Sequence, residues 1–130
     1  MRTTAARPSV AAAADPARVL TQAALRAAEI LAVPQRTLAA IIGVSASTIS
    51  RAAGSGAPLD PASKAGELAR LWVRVFRSLD AIVGSNDAAA RAWLAAPNAA
   101  FGGATPLERL RSAEGLVQVL HYLDSARAPL

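Results

Sequence analysis

Cysteine is absent from the 130 residues, which removes disulfide scaffolds, thiolate metal sites and thiol nucleophiles and fits a reducing compartment. Histidine occurs once, at His121. No Ser/His/Asp set, metal cluster or phosphate-cradling glycine loop accompanies it, so neither catalysis nor a metal or cofactor is expected. Aromatic residues make up 4% of the chain although its hydrophobic fraction is 53%. Alanine supplies most of that fraction, favours helix and buries little area per residue. A core of this kind depends on Leu, Ile and Val at helical spacing, so the chain folds from many close helix contacts or is completed by partner chains, and self-association is expected. Lysine also occurs once, at Lys64, and arginine therefore carries nearly all of the cationic charge behind the net +5. Arginine suits phosphate, yet a GC-rich genome produces the same bias, and charge alone does not establish nucleic-acid binding. The apolar runs stop well short of the ~20 residues of a membrane span, and the start has no signal-peptide core. The chain reads as cytoplasmic, with no membrane partner.

What remains is helical punctuation. Residues 1–16 hold two prolines and no periodicity and read as a poorly ordered leader. From about Ala17 to Leu31 the positions Leu20, Ala24, Ala27, Ala28 and Leu31 recur at three- and four-residue steps, as on one buried helix face. Pro34 opens a second helix, Gln35 to Ile42, which Gly43 stops; Ser45 then caps a third that reaches Ala52 or Ala53 before Gly54-Ser55-Gly56. After Pro58 and Pro61 a long helix runs from about residue 62 to 83, with an apolar seam of Leu68, Trp72, Val75, Leu79 and Ile82. Ser85 or Asn86 caps a helix through Leu94. Beyond Pro97-Asn98 and Gly102-Gly103, Thr105-Pro106-Leu107-Glu108 has the form of a capping box with proline at the first helical position. Ser112 caps a last helix with Leu116, Val119, Leu120 and Leu123 inward. The fold class is all-α, about seven or eight helices: an N-terminal lobe over residues 17–61, a connecting helix over 62–83 and a C-terminal lobe over 84–130.

The segment Gln35 to Ala52, QRTLAAIIGVSASTISRA, meets the constraints of a helix-turn-helix. Leu38 and Ala39 place a large and a small residue inward, Gly43 supplies the left-handed turn, Val44 plugs the corner and Ile49 returns to the same core. In the usual docking geometry the second helix turns Ala46, Ser47, Thr48, Ser50 and Arg51 toward the major groove, while Gln35 and the amides near Ser45 meet phosphate. Arg51 is the candidate reader of guanine. The competing reading is a solvated helix face in a domain that no longer binds DNA. Arg70, Arg74 and Arg77 form a stripe on the long helix, with Glu67 and Asp80 spaced to pair with its ends.

Between Trp93 and Asp124 the sequence WLAAPNAAFGGATPLERLRSAEGLVQVLHYLD describes a compact, defined corner. Trp93-Leu94, Pro97-Asn98, Gly102-Gly103, Thr105-Pro106-Leu107, Ser112 and Glu114-Gly115 together resemble the C-terminal toxin-binding region of the Xre/MbcA/ParS-type antitoxins. Residues from about Ala24 to Ala53 resemble the Xre-like module of the same proteins. The resemblance implies a cognate RES-domain toxin that consumes NAD⁺, an antitoxin that obstructs its active site, and repression of the shared operon through operator DNA. It also implies a homodimer within a larger toxin-antitoxin complex. The candidate toxin-binding set is Trp93, Asn98, Phe101, Gly102, Gly103, Arg111, Ser112, Glu114, Tyr122, Leu123, Arg127 and Leu130, with Tyr122 and Arg127 singled out as amphipathic side chains of the kind that anchor interfaces. The end, Ser125 to Leu130, departs from the glycine-ending tail of the family. A stand-alone repressor whose C-terminal segment only dimerises, and a toxin binder without DNA recognition, are the alternatives.

Overall fold

The computed structural model describes residues 15–127. Most of the expected leader and the candidate Leu130 lie outside the described residues. The described residues form seven α-helices and one 3₁₀ turn, with no strand among them.

Helix α1 (Pro16–Ile30) starts at a proline whose missing N–H costs nothing there, and the Asp15 carboxylate accepts from Ala17 N at 3.1 Å. Helix α2 (Gln35–Ile42) has the expected limits. Helix α3 (Ala46–Ser55) runs past Ala53 and through Gly54. It ends at Gly56, and Ser55 Oγ donates back to the Arg51 carbonyl at 2.8 Å. Helix α4 (Lys64–Ile82) is capped by Ser63, and α5 (Asp87–Ala95) by Asn86. The 3₁₀ turn Ala99–Phe101, the single-turn α6 (Pro106–Arg109) and α7 (Ala113–Arg127) complete the chain.

Helix α4 is the spine, packing against α1, α2 and α7. Its largest fully buried side chain, Trp72, donates its indole N–H to the Ala24 carbonyl at 3.0 Å and so satisfies the one polar atom it takes into the core. Burial differs from the expected single seam. Ile82, at the end of the helix, is 41% exposed and Leu68 is only partly buried, whereas Ala69, Val73 and Ser78 are buried. A helix covered on more than one side buries a wider band than one stripe.

Two long-range bonds fasten the irregular segments. Thr21 Oγ1 donates to Ala17 O at 2.7 Å and accepts from Leu59 N at 2.8 Å, pinning the connection between α3 and α4. Arg91 Nε donates to the Ile30 carbonyl at 2.9 Å, so α5 satisfies a carbonyl that the end of α1 leaves free. At the start of α7, Gly115 packs beneath the preceding turn. A Cβ there would overlap the Arg109 carbonyl oxygen and lie 2.8 Å from its carbon, an approach only glycine permits.

Candidate functional site

Two exposed faces carry the residues singled out in the sequence. The first is built by the turn between α2 and α3. Gly43 has φ +82°, and both its N–H and that of Val44 return to the Ala39 carbonyl, at 2.8 and 3.0 Å. Leu38, Ala39 and Ile49 are buried together, and Val44 packs against them partly buried. This fixes the angle at which α3 leaves the body.

At the head of α3, Ser45 Oγ accepts from Thr48 N at 3.1 Å, with Thr48 Oγ1 at 2.8 Å and Ser47 Oγ at 3.1 Å. Arg51 Nη2 reaches Thr48 Oγ1 at 3.4 Å, so the cap also holds the arginine over the first turn of the helix. Gln35, Ser45, Ala46, Ser47, Ser50 and Arg51 are exposed, and Thr48 is partly buried. Arg36, beside Gln35, adds a second exposed cation that the sequence reading did not single out. Its signal was its position inside the motif.

The second face lies where α5, the 3₁₀ turn and α7 meet. Trp93 stacks on Tyr122, with centroids 6.0 Å apart and planes 20° apart. Phe101 sets its edge against both, at 6.3 Å from Trp93 and 5.4 Å from Tyr122. Offset-stacked and edge-to-face pairs of this kind satisfy the ring quadrupoles. Asn98 closes the loop beneath them. Its side chain accepts from Ala100 N at 2.9 Å, its carbonyl accepts from Phe101 N and Gly103 N at 3.0 Å each, and its N–H donates to Ala104 O at 3.0 Å. Gly102 and Gly103 follow at φ +65° and +90°.

The capping box is complete. Thr105 Oγ1 accepts from Glu108 N at 3.1 Å, and the Glu108 carboxylate accepts from Thr105 N at 2.8 Å and from its hydroxyl at 3.1 Å. The Thr105 backbone N–H, and then its hydroxyl, hold the Glu108 carboxyl below its ordinary pKa. A depressed folded-state pKa contributes stability above the ordinary carboxylate range, lost as pH falls through the folded value. Ser112 Oγ accepts from Gly115 N at 3.0 Å and caps α7.

Of the C-terminal candidates, Gly102, Gly103, Arg111, Ser112, Glu114, Tyr122 and Arg127 are exposed, Trp93 and Asn98 are partly buried, and Phe101 and Leu123 are buried. Phe101 and Leu123 therefore act on any surface only by supporting it. Arg127 Nη1 donates to Ser78 Oγ at 2.9 Å, and Ser78 donates to Asp124 Oδ1 at 2.6 Å, while Arg74 stands 3.6 Å from Asp124 Oδ2. Ser78 and Asp124 escaped the sequence reading. A serine inside an apolar band, which must find a partner when buried, was the available signal.

The local pairing expected for the arginine stripe does not form. Glu67 pairs with Lys64 at 2.8 Å, Asp80 accepts from Ser85 at 3.1 Å, and Arg70 donates to the Pro61 carbonyl at 2.8 Å. Among the described residues no group of three or more His, Cys, Asp or Glu is placed to hold a metal ion, and no helix is long and apolar enough to cross a membrane.

The geometry defines a helix-turn-helix protein whose spine helix also packs against C-terminal helices that form an aromatic corner. Residues 10–72 match the antitoxin Xre-like helix-turn-helix domain, and residues 78–128 match the antitoxin Xre/MbcA/ParS C-terminal toxin-binding domain. The chain belongs to the Xre/MbcA/ParS type of antitoxin, combining a DNA-binding module with a toxin-binding one. No curated protein matches it significantly.

Proposed function

We propose that this antitoxin neutralises a cognate RES-domain, NAD⁺-consuming toxin by seating its C-terminal lobe over the toxin's active site, and that α3 binds operator DNA to repress the shared operon. It acts in the cytoplasm, as a homodimer within a larger complex with the toxin. The observation that carries this reading is the aromatic corner, at which Tyr122 is exposed and Trp93 partly so. Its loop and caps are closed by their own hydrogen bonds, which leaves Trp93 and Tyr122 free to meet a partner. The chain itself supplies no chemistry; it excludes substrate.

The decisive assay follows NAD⁺ loss by the protein encoded beside this chain. Addition of the antitoxin should suppress the loss in proportion to complex formed. A neighbour that consumes no NAD⁺, or one whose consumption continues in the complex, would refute the toxin assignment. For the DNA face, Arg51→Ala should weaken specific operator binding by ~1–3 kcal/mol, the range for one bidentate base contact. Arg51 is exposed, and among the described residues its side chain is bonded only to the neighbouring Thr48 hydroxyl, so the helical spectrum should not change. Unaltered affinity in a gel shift at fixed salt would remove Arg51 as a reader.

A further inference from the structure

A third surface belongs to neither face. Between α1 and α4 runs a groove of ≈ 360 Å³ with an apolar floor of Val19, Leu20, Ala23 and Val73, edged along α4 by Arg70, Arg74 and Arg77. Val19 is 54% exposed, more than any other large apolar side chain described. The three arginines follow i, i+4, i+7 spacing and so line one edge over about two helical turns. Only Arg74 has a carboxylate within ion-pair distance among the described residues; Arg70 is bonded to a neutral carbonyl.

We infer that this groove docks an amphipathic helix of another protein, one whose apolar stripe is flanked by Asp or Glu at matching spacing. An apolar stripe meets the floor, and carboxylates one turn apart meet the guanidiniums, which take them as a two-pronged fork. Charge decides among the occupants. A second copy seated groove to groove would bring two arginine edges together on chains that each carry +5, a like-charge juxtaposition that disfavours that partner. Duplex DNA would meet the arginines but gain nothing from an apolar floor, since its backbone is bound through charge and hydrogen bonds.

The test is fluorescence anisotropy of labelled synthetic helices with the full chain. One probe carries leucines on one face with glutamates beside them, and its control replaces every glutamate with lysine. The glutamate probe should saturate at one per chain and the lysine probe should not bind. Val19→Asp and Arg77→Ala should each weaken the glutamate probe by about tenfold or more, with helical content and operator affinity unchanged. Val19 is exposed and Arg77 has no carboxylate partner among the described residues, so neither change threatens the fold. Equal binding of the two probes, or binding of neither, would overturn the inference. So would a homodimer that Val19→Asp dissociates in sedimentation, which assigns the groove to a second copy, or a loss of operator binding in Arg77→Ala, which assigns the edge to phosphate.

Discussion

Trp72→Ala is expected to lower the unfolding free energy by ~3–5 kcal/mol, the cost of emptying a tryptophan-sized site in a packed core. That is a large fraction of the ~5–15 kcal/mol that holds a domain together, and it corresponds to a melting temperature lower by about 10–20 °C at this chain length. Both lobes should suffer together. Trp72 is fully buried on the spine helix, its indole is the donor to the Ala24 carbonyl, and the buried cluster runs without a break from Ala24 to Leu123. Loss of the ring leaves a cavity and removes the second hydrogen bond that the Ala24 carbonyl accepts, although that carbonyl keeps its helical bond within α1. Trp93 remains as the sole tryptophan and lies in the other lobe, so its emission reports that lobe while circular dichroism reports all helices. The two signals should change in one coincident transition. A shift of only a few degrees, or Trp93 emission that holds while half the helical signal melts, would show that α4 does not couple the lobes. Trp72→Phe keeps most of the volume and loses the hydrogen bond, and it should fall between the wild type and Trp72→Ala.

The elements that were legible in the sequence are those whose ends carry their own chemistry. Pro34 and Gly43 bracket α2, Ser45 heads α3, and Thr105 with Glu108 opens α6, because caps and turns are solved within four residues of chain. Partners supplied by the tertiary fold were not legible. Glu67 and Asp80 stand at i, i+3 spacing from the ends of the arginine stripe, yet Arg70 turns to the carbonyl of Pro61 and Arg74 to Asp124 on α7. The i, i+3 rule sees only one helix, and the competing acceptors lie beyond it. The exposure of Ile82 has the same origin, since an apolar spacing says which positions share a face and not where the neighbouring helices stop. Trp93, Phe101 and Tyr122 were each recognisable as notable, but their mutual stacking depends on how α5, the 3₁₀ turn and α7 converge. The stack divides their work: Phe101 is buried and sets the height of the corner, while Tyr122 remains 39% exposed.

Tyr122→Ala should cost at least ~2 kcal/mol of toxin affinity, or about thirtyfold in Kd, as expected where a rigid aromatic anchors the centre of an interface. The ring is held from one side by Trp93 and Phe101, so little rotamer entropy remains to be lost when the toxin covers the other side. Tyr122→Phe keeps the ring and the stack and should retain most of the affinity; an equal loss would place the hydroxyl rather than the face at the contact. Arg127→Ala is a second probe with a different signature. It removes a cation from the exposed end of α7 but also the donor to buried Ser78, so it should lower thermal stability as well as affinity. Tyr122→Ala, by contrast, gives up two aromatic contacts, each worth about 0.5–1.5 kcal/mol, and no buried hydrogen bond, and should lower the melt modestly beside its loss of affinity. Calorimetric titration with the toxin, read beside circular dichroism and operator binding, separates these effects. If both variants neutralise the toxin fully, the aromatic corner is not the contact, and the toxin must seat on the N-terminal lobe or on α4. The glutamate-helix probe would then compete with the toxin if the α1/α4 groove were the shared surface.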